Sequence, residues 1–148
     1  MESARRRRSI EHGLVLAGAL ALPLAAFALG AFLTPDPRGF GTHEHLGFRP
    51  CLSMRLWSFP CPGCGVTTSV ALAVHGHVLA ALRTQPFGLV VLALALCAPI
   101  WALAGHARGR DLASELALVD RRRWTRTLVT LALLAWVYKI ALVRGWIG

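Results

Sequence analysis

Cys51, Cys61 and Cys64 follow one another with the spacing Cys-x9-Cys-x2-Cys. The second pair sits in Pro60-Cys61-Pro62-Gly63-Cys64-Gly65. Two thiolates two residues apart can face one ion if the chain between them turns tightly. Pro62 fixes a backbone angle, and Gly63 and Gly65 accept positive φ. Amides freed in such a turn can hydrogen-bond the sulfurs. This is the local chemistry of a metal knuckle, and zinc is the cofactor that fits it. A tetrahedral zinc site takes four ligands, so three cysteines need a partner. His43 and His45 of Thr42-His43-Glu44-His45 are candidates, as are His75 and His77.

The same thiols support other chemistry. In an oxidising compartment Cys51 could form a disulfide with Cys61 or Cys64. Cys61 and Cys64 could also be a redox couple, since a helix starting just after Cys64 would favour a thiolate. No thioredoxin-like βαβ pattern surrounds them, however. Covalent haem is not expected, since Gly65 stands where histidine would follow Cys64. Cys97 lies inside an apolar run and reads as a packing residue. His12 and His106 sit at the edges of apolar runs and invite no special role. Asp36 and Glu44 are the only acids between residues 34 and 106, and Ser53, Ser58 and Ser69 stand in no hydrolytic motif. Enzymatic activity is therefore the lesser expectation and rests on cysteine chemistry alone.

The elements that must position these thiols are membrane helices. Hydrophobic residues make up 55% of the 148-residue chain, and they come in blocks. Residues 13–33 and 86–105 contain no Asp, Glu, Lys or Arg, and 127–147 contains only Lys139 and Arg144. Each is about the length that crosses a hydrocarbon core of roughly 30 Å. In lipid such runs must be helical, because unpaired backbone amides find no water there. Lys139 is expected to snorkel toward the headgroups. The first run reads as a retained anchor, being longer than the core of a cleaved leader. Trp124, Trp136, Tyr138 and Trp146 are candidate interfacial anchors, with inter-helix packing an equal reading for Trp136.

The net charge is +9, but its placement argues against nucleic acid. Arg5 to Arg8 precede the first run, and six arginines lie in 106–126. That is the pattern of cytoplasmic loops facing anionic headgroups. It puts the N-terminus and 106–126 in the cytoplasm and 34–64 outside, as a Cys/His loop. An odd number of crossings must then separate residues 34 and 106. Residues 65–82 are apolar enough to cross, but a crossing there would reverse the arginine loop. They are expected to form one interfacial or re-entrant helix, with Pro86 opening the next span. Residues 111–120 read as a short amphipathic helix. The expected fold is thus a single all-α membrane domain: three transmembrane helices plus one interfacial or re-entrant helix after a Cys-rich loop.

Thr42-His43-Glu44-His45-Leu46-Gly47, then Cys51, Cys61-Pro62-Gly63-Cys64-Gly65-Val66-Thr67-Thr68, His75-Gly76 and Gln85-Pro86 come in that order. Over residues 34 to 105 this resembles the bacterial membrane family called domain of unknown function 2752. The resemblance implies a membrane protein of no established activity, in the bacterial inner membrane, with Cys51, Cys61, Cys64, Gly65 and Thr67 as its core. It favours His43 as the fourth ligand. Thr68 departs from the arginine of many members, which weakens any anion contact there. The expected role is a scaffold or accessory subunit, its loop stapled by metal or disulfide and docking other membrane subunits. The alternative is a membrane thiol–disulfide oxidoreductase using Cys61 and Cys64.

Overall fold

A computed structural model describes residues 2–147; the side chains of residues 2–8 and of Leu29 fall outside that description. The charge placed on Arg5 to Arg8 therefore lies outside the described side chains. The described chain is helical, with no strand. In order come α1 (Glu2–Phe32), a 3-10 turn (Thr42–Leu46), α2 (Leu52–Trp57), α3 (Val66–Val74), α4 (Val78–Thr84), α5 (Pro86–Ala107), α6 (Leu112–Leu118) and α7 (Arg121–Val143). Ser9–Phe32, α5 and α7 are each long and apolar enough to cross a membrane. Their large side chains face outward: Leu22, Leu24, Ile100, Leu134 and Val137 are all more than 60% exposed. Exposed apolar surface on this scale calls for lipid around it, and the chain is a multi-pass membrane protein.

The bundle has two distinct ends. At one, His12 Nε2 of α1 meets His106 Nδ1 of α5 at 3.1 Å. The sequence offered no reason to pair these histidines. At the other, Gly30 of α1 lies against Val70 and Val74 of α3, and Gly88 of α5 lies against Ser69. So α1 and α5 run antiparallel, and α3 seats across the C-terminal end of the first and the N-terminal end of the second. Gly88 is required by that contact, because a Cβ there would fall 2.6 Å from Ser69.

Residues 65–82, expected as one helix, are divided between α3 and α4. The break is at His75-Gly76-His77, where His75 Nδ1 bonds the Ala71 carbonyl at 2.8 Å and Gly76 takes φ +85°. Ser69 Oγ then donates to the Ala81 carbonyl at 2.9 Å and pins the pair together. Helices of nine and seven residues reach only about 14 and 11 Å at 1.5 Å per residue, so neither crosses alone.

The third long helix starts at Arg121, inside the stretch expected as a basic loop. Asp120 Oδ1 accepts the Arg122 and Arg123 amides, each at 3.1 Å, which is N-capping. Asp111 caps the amphipathic α6 in the same way, accepting the Ala113 amide at 3.2 Å. Lys139 does not snorkel. It is 1% exposed, and its Nζ donates to the Gly39 and Thr84 carbonyls at 3.0 and 3.1 Å. The carbonyls freed at the ends of a turn and a helix give the ammonium its acceptors inside the protein.

Candidate metal centre

The three cysteines arrive from two segments. Cys51 precedes the first turn of α2, where its carbonyl accepts the Arg55 amide at 3.0 Å. Cys61 and Cys64 close a tight turn: Cys64 N donates to Cys61 O at 3.0 Å, and Val66 N to Gly63 O at 3.2 Å. Gly65 then enters α3 with φ +89°, and a Cβ there would fall 2.8 Å from the Gly39 carbonyl. Both the dihedral and the approach demand glycine.

Within this frame the sulfurs converge. Cys61 Sγ lies 3.0 Å from Cys64 Sγ, which lies 3.3 Å from Cys51 Sγ. All three are within 4.8 Å of one another. The Cys61 amide points at Cys64 Sγ from 3.2 Å, the amide–sulfur bond expected of a knuckle. Three soft donors on one point suit zinc or another thiophilic ion. Zinc–sulfur bonds of about 2.3 Å set a tetrahedral edge of roughly 3.8 Å, so the thiols would rotate slightly outward around an ion.

Their protonation differs. Burial opposes ionisation of Cys51, but hydrogen bonds from Ser53 Oγ at 3.1 Å, the Met54 amide and the other two thiols prevail and pull it down to about 6. Burial pushes the Cys64 thiol up, and its bonds to Cys61 and Cys51 push the same way. One thiol is thus primed to lose its proton while its buried neighbour holds on.

Of the proposed fourth ligands, His43 shares a cavity wall with two of the cysteines. It lines a cavity of about 310 Å³ with Cys51, Cys64, Glu44 and Met54, though it is not among the three converging ligands. His45 turns to Thr34 Oγ1 at 3.2 Å. His75 and His77 stand at the α3–α4 break and are exposed.

Residues 51–99 match DUF2752, a family described as a protein of unknown function. The DUF2752 segment therefore holds all three cysteines, α3, α4 and the start of α5, whereas His43 precedes it. No curated protein and no solved structure matches the chain.

Much of what shapes the site lies outside the DUF2752 segment. Thr42 is fully buried; its Oγ1 accepts the Asp36 amide at 3.0 Å and shares a 2.8 Å hydrogen bond with Thr68 Oγ1. Thr68, not Thr67, thus ties the loop to α3. Arg38 donates to Asp36 Oδ2 at 2.7 Å and to Glu44 Oε2 at 3.1 Å. The side-chain bond from Arg38 holds the Asp36 carboxyl below its ordinary range against the opposing effect of burial. From α7, Trp136 Nε1 donates to Pro60 O at 2.8 Å and its ring meets Phe59 edge-on. Trp136 is therefore a packing residue. In the sequence, Trp136 was visible as an aromatic with a packing reading, and Lys139 as a lone charge in an apolar run.

Proposed function

We propose that this chain is a small scaffold or accessory subunit of a bacterial inner-membrane assembly. In this reading the cysteine end lies outside the cytoplasm and docks other membrane subunits. Cys51, Cys61 and Cys64 hold a zinc ion, and His43 swings from its place on the cavity wall to complete the shell. The observation that carries the reading is the convergence of three sulfurs from two chain segments within 4.8 Å. The ion closes a loop with little apolar core of its own, so its binding contributes folding free energy directly. The arginines of α7's first turn, on the opposite end, support a cytoplasmic N-terminus by the positive-inside rule. The test is metal content per chain in detergent-purified protein, by elemental mass spectrometry. About one zinc per chain, lost in Cys61→Ser, is expected for a site of this type; a metal-free wild type would remove the staple.

A second reading rests on a different observation: Cys61 is partly exposed beside a buried Cys64. In a membrane thiol–disulfide oxidoreductase, Cys61 as thiolate attacks a partner disulfide and expels one partner thiolate. Cys64 then attacks the mixed disulfide, releasing the reduced partner and leaving a Cys61–Cys64 disulfide. Cys64→Ser would stop at the mixed disulfide, which non-reducing electrophoresis detects. Its failure to accumulate, with both thiols metal-bound, rejects this reading.

A further inference from the structure

Beside the cysteine centre, a separate cavity of about 440 Å³ opens between residues 37–40, the end of α4 and the end of α7. Three cations line it: Arg38, Arg83 and Lys139. They are not equally available. Arg38 is engaged by Asp36 and Glu44 and lies over the Phe40 ring. Arg83 is exposed and pairs with no carboxylate among the described residues. Lys139 is 1% exposed, and no described carboxylate lies within ion-pair distance of it. Its two hydrogen bonds go to neutral carbonyls, and an ammonium has three N–H donors.

A buried cation without a carboxylate beside it is strongly unfavourable; such a group pairs with an opposite charge or gives up its own, and an anion in the cavity would supply that pairing. The surroundings hold Lys139 in place rather than let it escape. Tyr138 OH donates to the Arg83 carbonyl at 2.8 Å, fastening α7 to the end of α4. The remaining walls include Phe40, Leu142 and Val143. An arginine fork and an ammonium on the walls of one cavity, beside apolar side chains, suit a phosphate with an apolar substituent. The cavity also lies at the end of α7, a helix long and apolar enough to cross a membrane.

We propose that this cavity binds a phosphate-bearing anion, with Lys139 and Arg83 as its donors. The source is either the headgroup of an anionic lipid or free phosphate. No cysteine is among its donors, although Lys139 packs beside Gly65, the residue after Cys64; anion binding that persists in zinc-free Cys61→Ser protein would separate this proposal from the zinc reading.

The test is calorimetric titration of the full chain in non-ionic, phosphate-free detergent. One arm uses short-chain phosphatidylglycerol and the other inorganic phosphate. Saturable binding is expected in at least one arm: lipid alone identifies a headgroup, phosphate alone a free anion, and both a site for the shared group. Arg83→Gln should weaken the binding about tenfold or more, the scale of one charge-assisted hydrogen bond, while zinc content stays that of the wild type. Lys139→Met should abolish it. Because that variant could also misfold, the exposed Arg83 decides. No saturation with either probe, or saturation unchanged in Arg83→Gln, overturns the proposal.

Discussion

The three thiols are chemically unequal because their neighbours differ. Cys51 receives donors from Ser53 and the Met54 amide, whereas Cys64 is 4% exposed. In reduced, metal-free protein, Cys51 should alkylate with a pH midpoint of about 6, while Cys64 stays unreactive to well above neutrality. Peptide-mapped alkylation across pH 5 to 9 measures both; equal reactivity of the two would contradict the arrangement. Asp36 carries a second pH dependence. Its folded pKa is depressed, so its contribution is fully present above the ordinary carboxylate value of 3.8. That contribution is lost as pH falls through the lower, folded value. Asp36→Asn should remove this acid sensitivity, read as the loss of stability as pH falls below 3.8. None of this was legible in the spacing of the cysteines. The Cys-Pro-x-Cys-Gly turn was legible, since a two-residue separation and its glycines are local constraints.

At the scale of elements, close approach decides where the helices stop and touch. A methyl group on Gly88 would strike both Ser69 and the Val66 carbonyl, which lies 3.0 Å from the added carbon. Gly88→Ala should therefore destabilise by about 1–3 kcal/mol, typical of overpacking. Pairing it with Ser69→Gly should recover part of the loss in a thermal melt; no recovery would place the clash elsewhere. Asp120 presents the opposite case, a gain from one side chain. Asp120→Ala should cost about 1 kcal/mol and fray the arginine turn of α7, measurable by amide exchange at residues 122–124. Gln85 bridges α4 and α5 fully buried, with neither amide atom bonded to the protein. Gln85→Met should be neutral or stabilising, because it removes unsatisfied polar atoms.

Over the whole molecule, α7 is attached unevenly. Trp136, Tyr138 and Lys139 fasten its last turns to backbone carbonyls of Pro60, Arg83, Gly39 and Thr84. Toward its start, a cleft of about 730 Å³ lined by Leu94, Trp101, Leu116, Trp124 and Leu128 lies between it and α5 and α6. Zinc binding at the fastened end should raise the melting temperature and be reversed by chelator. At a hundredfold excess over the dissociation constant the gain would be about 2.7 kcal/mol; a melt indifferent to both would count against a structural ion. By itself the sequence determined the helical class and the three long apolar segments, because lipid leaves a 20-residue apolar run only one way to satisfy its backbone. It also determined the cysteine knuckle, whose constraints span five residues. The break of 65–82 falls at Gly76, whose positive φ the sequence permitted, while the fold back that brings Ser69 to Ala81 appears only in the tertiary structure. The start of α7 at Arg121 follows a local cap by Asp120 that the sequence carries, whereas the His12–His106 contact depended on how two distant helices cross. Only the tertiary structure could bring Lys139 to Gly39, or Thr42 to Thr68. Those contacts join residues far apart in the chain, where neither periodicity nor spacing carries information.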